Sequence, residues 1–175
     1  MPIPEFYFCP TGLAIDSGDV VKFDFVTGHH TVSGYHPGFG YKARVPDGVP
    51  PFSSPVMPTG GYWLYRFEEA GVYDYFCGPH EIFGHVGRIV VGAPNGFEPI
   101  PDPCAGGPPE AGEGHSLRIP GFTANTVLRD AALDPDHIVD EGRVPWDDIA
   151  QESKRPYLQP VGWPPCDSST EEDST

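Results

Sequence analysis

Through the first half of the chain, apolar residues recur in short runs separated by glycine, proline or acidic residues. Seven stretches alternate or concentrate β-branched and aromatic residues in the manner of strands: 4–8, 11–15, 19–27, 30–34, 61–67, 71–77 and 86–92. Strands of this length at intervals of about ten residues predict a β-sandwich. Gly18–Asp19 marks one turn. Glu68–Gly71 marks another, where Gly71 is free to take a positive φ. Tyr73 follows directly, in the position of the tyrosine that closes a Greek-key corner. Between the strands lies a long insert, 35–60, with six prolines. Loops of this length are functional or disordered. It either crosses the end of the sandwich or runs as a solvated surface loop.

After residue 93 the pattern changes. Residues 94–120 are rich in proline and glycine and predict extended or irregular chain. Thr123–Leu133 places apolar residues at helical spacing, with Thr123 as a plausible cap. Ser168–Thr175 reads as part of a disordered acidic tail, 167–175. The region has too little apolar sequence for a core of its own. It is expected to pack on the sandwich through Leu128, Leu133, Ile138, Trp146 and Trp163. The expected organisation is thus one domain, 1–93, with an irregular C-terminal extension, 94–175, containing short helices.

Composition adds one constraint. The formal net charge is −15, with three lysines against seven arginines. An acidic, lysine-poor surface stays hydrated at molar salt and points to a halophile; docking of a basic partner is the alternative. Nucleic acid is excluded as a partner, because its phosphates would be repelled. No apolar run approaches the ~18 residues of a membrane span, so membrane association is not expected.

The chemistry lies in Cys77–Gly78–Pro79–His80–Glu81–Ile82–Phe83–Gly84–His85, held between two strand-like runs. A thiolate and an imidazole three residues apart on one tight loop can bind a single ion. Soft sulfur with borderline nitrogen suits copper or zinc and not magnesium or calcium. A third donor comes from Val26–Thr27–Gly28–His29–His30, again at the end of a strand. One upstream histidine with Cys77 and His80 makes the His2Cys trigonal set of a type 1 copper site. Cysteine with three histidines would also satisfy tetrahedral zinc. His36 reads as a loop histidine; His115 and His137 have no partners by spacing and are expected to be exposed. Cys9, Cys104 and Cys166 allow at most one disulfide, in three possible pairings.

The order and spacing of these motifs resemble those of the cupredoxins, above all the plastocyanin- and halocyanin-like proteins of haloarchaea. The matching segments are Phe8–Phe23, His30–Pro37 and Phe67–Gly92, and the resemblance covers roughly residues 3–93. It implies an all-β fold, a Greek-key antiparallel β-sandwich, binding one copper. Residues Ile138–Ile149 resemble short segments that follow the copper domain in such relatives. The family pattern puts His30 (not His29), Cys77 and His80 at ligand positions, with the Thr31 N–H directed at the sulfur. It departs in one place: His85 stands where the family has an axial methionine. The fourth ligand is therefore either His85, or water with His85 swung aside. An imidazole there should favour Cu(II), lower the potential and move the colour away from deep blue.

The resemblance implies Cu(II)/Cu(I) electron transfer, with a redox partner protein docking at an apolar patch near Pro79, Ile82 and Phe83. No general base, nucleophile or phosphate loop is evident. Two alternatives stand beside it: small-molecule redox chemistry (nitric oxide, nitrite or peroxide) at an open copper position, and copper binding or delivery. A sealed metal favours the first reading and a channel to the metal the second. The family's members are exported, so an extracytoplasmic site of action is expected, with any natural leader removed.

Overall fold

The computed structural model describes residues 5–101 and 117–154. Its strands are β1 (Gly12–Ile15), β2 (Val20–Asp24), β3 (Ser33–Gly34), β4 (Tyr62–Arg66), β5 (Gly71–Phe76), β6 (Val86–Val91) and β7 (Arg143–Val144). Its helices are α1 (Phe122–Leu128), α2 (Pro135–Glu141) and α3 (Gln151–Lys154), joined by short 3-10 turns. One sheet has the order β3-β5-β6-β1-β7; the other is the pair β2-β4. Pairing is antiparallel except between β1 and β6, which run parallel. The result is the expected β-sandwich with a helical C-terminal region.

Side chains on a strand alternate between faces, and β5 and β6 bury both faces. Tyr73, Tyr75, Ile89 and Val91 point into the core between the sheets, with Phe25, Val32, Phe52 and Phe67. Val72, Phe76, Val86 and Val90 point the other way, into a second core built with Leu128, Leu133, Ile138, Val144 and Trp146 of the C-terminal region. The outer face of a sandwich is ordinarily wet and polar. Here helices cover it, which accounts for the nearly uninterrupted apolar sequence of both strands. Helix α2 and the turn before it come so close to β1 that a Cβ on Gly12 would sit 3.0 Å from side-chain atoms of Ile138 and Leu133.

One charged residue per strand breaks the apolar runs, and the register sets Asp74 opposite Arg88. Arg88 Nε donates to Asp74 Oδ1 at 2.6 Å, and Arg44 Nη2 lies 2.8 Å from Oδ2. Arg88 also donates from Nη1 to the Leu133 carbonyl at 2.5 Å, tying the sheet to the C-terminal region. Burial alone would raise the Asp74 carboxyl; the guanidiniums of Arg88 and Arg44 outweigh it and hold the group below the ordinary carboxylate range.

Tyr73 closes the corner as its position suggests: its hydroxyl donates to the Glu69 carbonyl at 2.8 Å. Three expectations need correction. Residues 5–8 pair with no strand; Phe6 and Phe8 turn to the histidines at the end of the sandwich. Thr123 is not a cap: α1 starts one residue earlier, is N-capped by Gly121 without a side-chain bond, and buries Thr123 in its first turn. The predicted helix also breaks before residue 133, where Asp130 accepts from the Ala132 N–H and starts a separate 3-10 turn. The 35–60 insert runs mostly exposed, as a surface loop does, but it is anchored by a few buried residues. Val49 and Phe52 are buried in the core. Phe52 presses under Gly34 so closely that a Cβ there would meet its ring at 2.6 Å. Trp163, His115, Cys104, Cys166 and the acidic tail lie outside the described residues, and with them the disulfide pairings. Cys9 and His137 are exposed. Among the described residues no helix is long and apolar enough to cross a membrane.

Replacing Asp74 with Asn should cost about 3–5 kcal/mol, because it leaves buried guanidinium charge without its anion. Asp74 has a folded-state pKa below its unfolded value, so its contribution is complete above about pH 4 and lost as pH falls through the folded value. Urea unfolding should show the gap between wild type and Asp74→Asn narrowing below pH 4. A gap independent of pH would show that the carboxylate charge is not what stabilises this face.

Candidate metal centre

The loop between β5 and β6 closes on itself through backbone bonds. The Cys77 N–H donates to the His85 carbonyl at 2.9 Å, the His80 N–H to the Cys77 carbonyl at 3.0 Å, and the His85 N–H to the His80 carbonyl at 3.3 Å. Gly84 takes a φ of 82° and lets the chain turn back into β6. A second clamp comes from the segment before β3: the Thr31 N–H points at Cys77 Sγ at 3.4 Å, and Thr31 Oγ1 accepts from the Gly78 N–H at 2.8 Å. The backbone-to-sulfur contact expected of Thr31 is therefore present.

Four predicted site residues come together. Donor atoms of His30, Cys77, His80 and His85 all lie within 4.8 Å of one another. His80 Nδ1 and His30 Nδ1 are 3.0 Å apart; Cys77 Sγ lies 3.4 Å from the first and 3.6 Å from the second. A triangle of that size has room at its centre for one ion at the ~2.0 Å and ~2.3 Å typical of imidazole nitrogen and thiolate sulfur. His29, held at a φ of 67°, faces solvent. His36 instead caps a 3-10 turn by accepting from the Gly38 N–H at 2.9 Å. The second ring nitrogen of His30 is 2.7 Å from Thr27 Oγ1, which fixes the ring's orientation.

His85 carries the most telling detail. It is 4% exposed, and its Nδ1 is buried without a hydrogen-bond partner. A buried orphan nitrogen is costly unless something else satisfies it, and a metal ion is such a partner. Burial, with His30 and His80 adding to it, pushes His85 down to about 3, against a hydrogen bond from its ring to the Tyr7 backbone. Burial also lowers His30, helped by His80 and His29, and lowers His80, helped by His29. All three shifts favour the neutral imidazole, the form that offers a metal a lone pair. Burial raises the Cys77 thiol, opposed by the backbone N–H groups of Thr31 and His80. Such a set is poised for a cation: neutral nitrogens, and a thiol whose deprotonation a cation would favour.

Over residues 3–92 the chain matches the sequence model of the copper binding proteins, plastocyanin/azurin family. The chain belongs to that family. Cupredoxins of known structure resemble it: a pseudoazurin from Methylobacterium extorquens at 30% identity (47% of this chain, 60% of that chain, TM-score 0.41), a pseudoazurin from Hyphomicrobium denitrificans at 26% (49% and 61%, TM-score 0.40) and a novel purple cupredoxin from Nitrosopumilus maritimus at 28% (47% and 79%, TM-score 0.38). The chain thus spans only about 60% of the length of the pseudoazurins it matches. No curated protein sequence matches it. Copper is the metal of this family, and the cluster of three histidines and one cysteine can hold one ion.

Two parts of this cupredoxin site escaped the sequence reading. The first is residues 5–8. Phe6 stacks on His80 with centroids 4.1 Å apart and rings 5° from parallel, and it also touches Phe83 and the other two histidines. Phe8 packs on His85 at 4.2 Å. Tyr7 stacks on Trp146, whose Nε1 donates to Glu5. The alternation of Phe6 and Phe8 was visible, but it reads equally well as a strand. The second is Glu81, taken up below. Beside residues 5–8 a cleft of about 500 Å³ runs along β2, with His30 and His85 on its wall among Phe6, Phe8, Phe23 and Tyr75.

Phe6→Ala should expose the His80 ring. In the metal-free protein its pKa, now lowered chiefly by burial, should rise toward the ordinary value when followed by proton NMR. An unchanged titration would mean that Phe6 does not shield this ring.

Proposed function

We propose that this chain is a mononuclear copper electron carrier in which His30, Cys77 and His80 hold the metal in a trigonal set and His85 is the fourth, axial ligand. The observation that carries this is the unpartnered, buried His85 Nδ1 in one cluster with three other donors. Copper bound there supplies reversible one-electron chemistry, Cu(II)/Cu(I). The protein's residues do the rest. The Thr31 N–H stabilises charge on the sulfur, Thr27 orients His30, and the closed loop keeps the donors in place, so that little reorganisation accompanies a change of state. An imidazole is a stronger and more basic donor than a thioether, so His85 favours Cu(II) and a lower potential.

A redox partner protein fits at the apolar surface by the ligand loop. Ile82 is 65% exposed and Pro79 exposed, with the half-buried Phe83 and Phe6 behind them. Phe6 thus lies beside His80, the ligand nearest this surface. Two features of the sequence reading belong with this proposal: action outside the cytoplasm, as the family resemblance implies, and adaptation to high salt, supported by the charge of −15 with three lysines. A second reading, small-molecule redox chemistry, is favoured by the cleft whose wall includes His30 and His85. The axial histidine opposes it by filling the open position.

Cys77→Ser should abolish the visible thiolate-to-copper absorption; colour that survives would remove Cys77 from the ligand set. His85→Met should make the copper protein bluer and raise its potential, as followed by absorption and redox titration. If both are unaltered, His85 lies outside the ligand set and the small-molecule reading takes precedence.

A further inference from the structure

Glu81 lies in the ligand loop, directly after His80, yet its carboxylate faces away from the metal cluster. Three donors converge on it, all from outside that loop. The Tyr35 hydroxyl donates to Oε1 at 2.9 Å and the Tyr41 hydroxyl to Oε2 at 2.7 Å. The backbone N–H of Gly121 donates to Oε1 at 2.9 Å. Tyr35 and Tyr41 belong to the 35–60 insert. Gly121 is the residue from which α1 begins. One half-buried side chain therefore joins the metal loop, the insert and the C-terminal region.

The bonds run to a charged acceptor, the stronger kind. Both tyrosines are positioned by packing as well as by this contact. Tyr35 is fully buried and Tyr41 nearly so, the two rings meet edge-on at 5.0 Å, and both lean on Phe76, the residue before Cys77. Burial raises both phenols, and Glu81 raises them further, so they stay protonated donors.

A second contact acts on the other ligand of the loop. Gly84 directly precedes His85, and a Cβ there would meet Thr123 Cγ2 at 3.1 Å and Val127 Cγ2 at 3.2 Å. Helix α1 is therefore packed against the loop backbone at His85, and its N-cap residue, Gly121, is tied to the loop beside His80. A helix some forty residues away in sequence thus contacts the loop beside both His80 and His85.

We infer that Glu81 is a positioning residue through which the C-terminal region holds His80 and His85 at the separation the metal needs. This rests on the ligand set proposed above. The consequence is that the C-terminal region governs the metal's properties without touching the metal. Outer partners of metal ligands typically alter affinity about 10–100-fold when removed.

The test separates the Gly121 bond from the fold. Gly121 has a φ of −56°, close to that of proline. Gly121→Pro keeps the backbone angle but replaces the N–H that binds Glu81 with a ring carbon, so it removes the bond and displaces the carboxylate, while Gly121→Ala keeps the bond. The full-length protein is loaded with copper(II). Its thiolate absorption is recorded, and its dissociation constant is measured by competition with a chelator. Gly121→Pro and Glu81→Ala should both shift the band and weaken binding about 10–100-fold, while Gly121→Ala matches the wild type and Glu81→Gln recovers part of the loss. Tyr41→Phe, which deletes one bond only, should shift in the same direction by less, and it decides the matter if Glu81→Ala does not fold. A lowered unfolding midpoint with wild-type absorption and affinity in all of these would overturn the inference and leave Glu81 as a stability contact. A wild type with no thiolate band would instead overturn the ligand set on which the inference stands.

Discussion

The metal end of this protein depends on a hairpin buried on both faces. Strands β5 and β6 carry the ligand loop between them, and any slackness in the pair would pass directly to Cys77, His80 and His85. The sandwich core fixes one face. The C-terminal helices fix the other and turn the usually solvated face of a sandwich into a second core. Such a face cannot be wholly apolar where the chain must also reach across to Leu133. Asp74 and Arg88 meet that need as a fully buried ion pair in register, completed by Arg44. A pair of this kind contributes little net stability compared with apolar packing, but breaking it is costly. Its effect here is to hold the strand register and the docking of the C-terminal region together.

The same region reaches the ligand loop through Glu81 and Gly84, and reaches the N-terminal segment through Trp146. Residues 5–8, the 35–60 insert and the C-terminal helices thus converge on one short loop from three directions. That arrangement suits a centre whose chemistry requires constant geometry in two oxidation states. It also gives the His80 edge an aromatic cover, since Phe6 lies parallel to the imidazole.

Much of this was legible in the sequence, for physical reasons. Cys77 and His80 sit three residues apart between two strand-like runs, a spacing that lets both side chains reach one ion. His30 follows a strand end, and Tyr73 follows a turn. The runs 71–77 and 86–92 stand out as nearly continuous apolar sequence because both faces of those strands are buried. What was hidden depends on tertiary context. The stretch 4–8 has a strand's alternation, but its aromatic residues are used on histidine rings at the end of the sandwich and not in a ladder. Thr123 has the chemistry of a cap, yet Glu81 holds the Gly121 N–H and the helix begins one residue earlier. Glu81 itself looks like an ordinary surface acid of an acidic chain. Its three donors lie some forty residues away on either side, and nothing local announces them.

The central claim is that one copper is held by one sulfur and three imidazoles, the third being His85. X-ray absorption at the copper edge of the loaded protein tests it most directly. The account predicts a single short copper–sulfur distance together with outer-shell scattering from three imidazole rings, reduced to two in His85→Gly. Scattering from two rings in the wild type, unchanged by that substitution, would contradict it.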